Sequence, residues 1–155
     1  MESQTIIPRD DTGKVYIENN TLFWDVAEAN LLKIDIDAVR VIGEYTTVHA
    51  LFRNDWFIVF VLDHEKSFQI SAYAQGMNEV LDKLSKSLNS SIKVQLALCT
   101  DFKSNVIWPQ DLSGQELYEL KIIESRSLFD RLRARLGFGD PVELVFRDSV
   151  KAAIS

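Results

Sequence analysis

The sequence predicts an α+β fold, and three of its features carry that expectation. Short runs rich in β-branched and aromatic residues crowd the first half of the chain, one amphipathic stretch interrupts them near residues 76–88, and helical spacing dominates the last third. Strands that cluster early and helices that cluster late favour segregated layers over alternating βαβ units, so we expect an antiparallel, meander-like sheet of about five to seven strands with C-terminal helices on one face. At 155 residues, 46% of them apolar, the chain is long enough to bury a sizeable core as one domain, 1–155, without a metal or a disulfide.

Residues 1–13 are polar, carry Pro8 and Gly13, and read as a flexible arm. KVYIE and TLFWDV follow, separated by Asn19-Asn20; Asn tolerates left-handed backbone, so the pair reads as a hairpin turn. Residues 26–35 suit either one helical turn or a loop leading into a strand. Ile36 to Thr47 reads as a strand containing Gly43, which marks a bulge or a close backbone approach. WFIVFVL at 56–62 is the most apolar run and reads as a central strand covered on both faces. With the polar turn DHEK and the alternating SFQISAYA, it forms a hairpin.

Met77, Leu81, Leu84 and Leu88 recur at helical spacing with Glu79, Asp82, Lys83 and Lys86 between them, which predicts an amphipathic helix. IKVQLALC at 92–99 alternates like a further strand, and residues 100–112 read as a loop holding Trp108-Pro109. Ser113 and Glu116 have the spacing of a capping box, predicting a helix over 114–136 that stops at Gly137. Within it, LYELKIIES at 117–125 also alternates as a strand would. Asp140-Pro141 with Glu143 predicts a final helix to about Ala153. A curved sheet closed by a C-terminal helix, as in pleckstrin-homology-like domains, is one way to build this, a comparison of architecture that rests on no diagnostic residue.

Cys99 is the only cysteine, which excludes a disulfide framework and a cysteine zinc cluster; flanked by Leu96, Leu98 and Phe102, it reads as a buried thiol. The first residues resemble no targeting peptide and no run is long enough to span a bilayer, so a cytoplasmic protein is expected, in which the Asn19 and Asn89 sequons are chance matches. The net charge is −6. Up to residue 90 there are eight Lys/Arg against fourteen Asp/Glu, and from 91 onward nine against nine, so the front half carries the whole acidic excess. That distribution argues against nucleic-acid binding by the front half, DNA included, and favours a basic protein as any partner, plain solubility being the other reading of the charge.

Candidate chemistry is sparse. Asp63, His64 and Glu65 are consecutive, so their side chains diverge, and a solvated turn explains them better than a metal site. His49 and Asp55 stand in or beside the loop before the Trp56 strand, where a binding role is physically allowed. Arg126, Arg131, Arg133 and Arg135, with Lys121, form a basic stripe suited to an acidic partner, an anionic membrane or RNA phosphates, or to the acidic front half of the same molecule. Trp108, beside Pro109 in a polar loop, is a candidate contact hot spot. No nucleophile elbow, phosphate loop or dinucleotide fingerprint occurs; Gly137-Phe138-Gly139 follows predicted helix and reads as a terminator. We expect no cofactor, no metal and no catalytic set, and therefore a non-catalytic interaction domain, an adaptor or inhibitor. The rival expectation is a small enzyme or small-molecule binder that uses a concave sheet face, with Tyr45, Asp55, Asp63 and His64 as its candidate residues.

Overall fold

The computed structural model describes residues 12–26, 30–47, 55–97, 99–122 and 142–155. The order is β1 (Lys14–Glu18), β2 (Thr21–Val26), β3 (Asn30–Asp35), β4 (Val41–Thr46), β5 (Trp56–Val61), β6 (Ser67–Ser71), α1 (Met77–Ser87), β7 (Lys103–Trp108), β8 (Tyr118–Ile122), β9 (Val142–Phe146) and α2 (Asp148–Ala153). The fold is α+β and dominated by sheet. Its nine described strands pair antiparallel in three sheets, β1-β2-β3, β6-β5-β4-β7 and β8-β9, in place of the one meander-like sheet of five to seven strands expected.

Local chemistry explains most of these elements. Asn19 and Asn20 take φ of 47° and 61°, the left-handed pair that closes the β1–β2 hairpin. The expected strand from Ile36 to Thr47 is instead interrupted at its start, because the Asp35 carboxylate accepts from the Asp37 N–H at 3.0 Å and a short 3-10 turn over Ile36–Ala38 separates β3 from β4. The β5–β6 hairpin forms as the alternation predicts. α1 turns Met77, Val80, Leu81 and Leu84 inward. Gly76 before it has φ of 90°, and an added Cβ there would stand 2.4 Å from the Val15 carbonyl oxygen, so only glycine lets β1 approach.

Four expectations fail. Residues 103–108, expected within a loop, form β7 and end at Trp108, because Val106 and Ile107 are buried on opposite sides of the sheet where β7 pairs with β4. Residues 92–96 keep the burial alternation of a strand, with Ile92, Val94 and Leu96 inside, yet join no ladder because two of their amides are drawn to a buried side chain described below. The capping box at Ser113 starts no helix: the Ser113 N–H donates to the Gln110 carbonyl to close a 3-10 turn, Glu116 pairs with Arg147, and residues 118–122 form β8, the strand alternative that their alternation allowed. Residues 142–146 are strand β9, so the last helix begins at Asp148. Residues 123–141, with the remainder of the expected long helix, and residues 1–11 and 48–54 lie outside the described part.

The central sheet is covered on both sides. Ile42, Trp56, Ile58, Phe60, Ile70 and Ile107 point into one core with α1, residues 92–96 and the inner faces of β1–β3. Val41, Val59, Val61 and Val106 point into a second core with Leu117, Val150 and Ile154. At roughly 1.5–3 kcal/mol per fully buried aliphatic or aromatic side chain, these two layers hold the sheet. All six residues of β4 are buried. At Gly43 the register against β7 shifts, as a bulge requires, and an added Cβ would lie 3.1 Å from the Asn105 carbonyl oxygen of β7 and 2.7 Å from the Leu117 side chain.

Candidate functional site

Glu44, in phase with Ile42 on β4, is wholly buried. Its Oε1 accepts from the Gln95 N–H at 2.7 Å and from Asn105 Nδ2 at 2.9 Å, while Oε2 accepts from Trp56 Nε1 at 2.9 Å and, more weakly, from the Leu96 N–H at 3.4 Å. Four N–H donors and no acceptor make a shell that suits the ionised carboxylate, since a protonated oxygen would find nothing to donate to. Burial pushes the carboxyl up from its ordinary 4.5, and the bonds from Asn105, Gln95, Trp56 and Leu96 pull against that rise. The carboxylate thus ties β4 to β5, to β7 and to a segment that no ladder holds.

Two adjoining hollows of about 500 and 310 Å³ open over this knot, and both are lined by Gln95, Asn105 and Gly114. Ser91, Lys93, Gln110 and Ser113 complete the larger; Phe102, Ser104, Glu116 and Tyr118 are among the walls of the smaller. Amide and hydroxyl groups share these linings with the charged Lys93, Lys103 and Glu116. A third hollow, of about 590 Å³, lies elsewhere, between Arg40, Asp63, Lys66 and the end of α2.

The other face of β4 carries Tyr45, whose hydroxyl donates to Gln69 Oε1. Its ring stacks on Phe57 at 5.2 Å and meets Tyr118 edge-on at 5.6 Å; Tyr118 in turn stacks on Phe146. Burial pushes both phenols up, and Tyr45 adds to the rise at Tyr118.

The residues singled out from the sequence are dispersed. Asp55 is 4% exposed and accepts from the Tyr73 hydroxyl at 2.9 Å, a structural bond. Asp63 Oδ1 accepts from the Glu65 and Lys66 N–H groups, both at 2.8 Å, and His64 is exposed with Nε2 3.5 Å from Ser155 Oγ, so this stretch is a solvated turn. Trp108 is half-buried and packs on the first core, as does half-buried Cys99. His49, Arg126, Arg131, Arg133 and Arg135 lie outside the described residues. No hydrogen bond joins any two of Tyr45, Asp55, Asp63 and His64, and among the described residues no three His, Cys, Asp or Glu gather where a metal would sit. Glu44 itself escaped sequence reasoning; its one signal was being in phase with Ile42 on a strand flanked by apolar residues.

No protein-family model, no curated protein and no solved structure matches this chain. No helix among the described residues is long and apolar enough to cross a membrane.

Proposed function

We propose that the chain is a non-catalytic interaction domain of the cytoplasm, an adaptor or inhibitor that docks onto a basic protein. The observation that carries this reading is the engagement of the buried acids: Glu44 and Asp55 are each held as acceptors within the fold, and the exposed Asp63 caps a turn. A catalytic acid or base needs a free face toward substrate. The front-half acidic excess supplies the docking chemistry, with Glu18, Asp35 and Asp37 all exposed around the Asn19-Asn20 turn, where the Ile36 N–H donates to the Asn20 carbonyl. The competing small-molecule reading needs an open concave sheet face, and the burial of every residue of β4 counts against it. In architecture we keep the pleckstrin-homology-like comparison at the level of the β4–β6 meander followed by a C-terminal helix.

The test is retention of lysate proteins on the purified chain at low and high salt, followed by reconstitution of each retained pair from purified components. A basic protein that binds at low salt, releases at high salt, and loses affinity for a Glu18→Lys, Asp35→Lys, Asp37→Lys variant is expected. Binding that is indifferent to both salt and this variant would overturn the acidic-face reading.

A further inference from the structure

We propose that the groove over Glu44 binds an extended peptide segment, with a main-chain N–H of that segment donating to Asn105 Oδ1. Asn105 is only 7% exposed, yet it lines both hollows. Its Nδ2 is committed to the Glu44 carboxylate, which fixes the plane of the amide and leaves Oδ1 without a donor among the described residues. An ionised acceptor behind an amide polarises it and strengthens the oxygen on its far side as an acceptor. Glu44 therefore holds a nearly buried acceptor ready for a donor from outside.

The neighbouring groups select the ligand class. Gln95 is anchored by its own N–H on Glu44, and its exposed side chain forms a wall of both hollows; Gln110 stands across the larger one, with Oε1 accepting from Ser90 Oγ. A primary amide offers one acceptor and two donors, the complement of a peptide unit with its C=O and N–H. Residues 92–96 alternate in burial as a strand does, with Ile92, Val94 and Leu96 inside and Lys93 and Gln95 exposed, so an extended segment can lie against their outward side chains. Among the described residues, the larger hollow has no aromatic wall on which a sugar ring could stack. Volumes of about 500 and 310 Å³ fall in the range of ligand sites.

This site is independent of the acidic face, and salt separates the two, because amide recognition survives screening that abolishes charge docking. A phage-displayed library of random decapeptides is selected on the full chain in high salt, and enriched peptides are synthesised and titrated by calorimetry. Asn105→Ala risks the fold by disturbing the Glu44 shell, so the deciding variants are Ser113→Trp, which fills the groove from an exposed position, and Gln95→Ala, which leaves the anchoring main chain intact. We expect peptides that lose at least about tenfold in affinity on both variants, and that lose binding when one particular backbone amide is N-methylated. No enrichment over an uncoated support, equal affinity for Ser113→Trp, or tolerance of N-methylation at every position would overturn the proposal.

Discussion

Glu44 and Tyr45 are neighbours on β4, yet they bury polar groups toward opposite cores by different means. On one face a carboxylate gathers four N–H groups from β5, β7 and residues 95–96; on the other a phenol makes one bond, to Gln69, while its ring stacks on Phe57 and meets Tyr118 edge-on. The Glu44 face is a hub, in which every partner depends on one side chain. The Tyr45 face is a stack, in which each contact is pairwise and replaceable. A buried polar group with many partners concentrates stability at one residue, whereas packed rings spread it.

Substitution at the hub gives the largest expected effect. Glu44→Leu strands four buried donors, and we expect a loss of about 4 kcal/mol in urea denaturation, with hydrogen exchange at Gln95 and Leu96 accelerated well beyond that at α1. On the opposite face Gly43→Ala drives a methyl against Leu117 and, at 3.1 Å, against the Asn105 carbonyl oxygen; about 2 kcal/mol is expected, with the exchange of residues 95–96 little changed. If the two variants loosen the same amides, the faces are not independent.

Acidity sharpens the contrast further. The folded Glu44 carboxyl titrates above its ordinary 4.5, so between that value and its folded pKa the native state holds more protons than the unfolded chain, and its contribution makes stability fall as pH rises through this window. The difference in unfolding free energy between wild type and Glu44→Gln, followed against pH, should shrink in that direction; a flat difference would mean that Glu44 is not the titrating group. The smallest effect belongs to Tyr45→Phe, about 0.5 kcal/mol, because the exposed Gln69 regains water. Its readout is spectroscopic: with Tyr45 gone, the Tyr118 phenol should ionise at lower pH, while burial still keeps it above its ordinary 10.0.

Elements whose cause is local could be read from the sequence. The Asn19-Asn20 turn, the β5–β6 hairpin and the apolar stripe of α1 each follow from residues a few positions apart, and Gly43 announced its bulge. Residues 92–96 also displayed the correct inward set, Ile92, Val94 and Leu96, but what replaces their ladder partner is a carboxylate some fifty positions away in sequence. VELVF and YELKI pair with each other across residues 123–141, and each taken alone could serve helix or strand; the cap-like Ser113–Glu116 and Asp140–Pro141 tipped the reading toward helix. The groove was invisible for the same reason, since Gln95 and Asn105 become neighbours only through Glu44.

The reach of that carboxylate also bears on the order in which the chain folds. Its partners stand 12, 51, 52 and 61 residues along the sequence, so its last three bonds close only after β7 and the preceding segment have returned to β4. A charge buried sooner would be penalised, which works against compact intermediates that lack the chain beyond α1. Contacts completed after the rate-limiting step act as brakes on escape from the native state: Glu44 substitutions should quicken unfolding in stopped-flow measurements and leave the refolding rate nearly untouched.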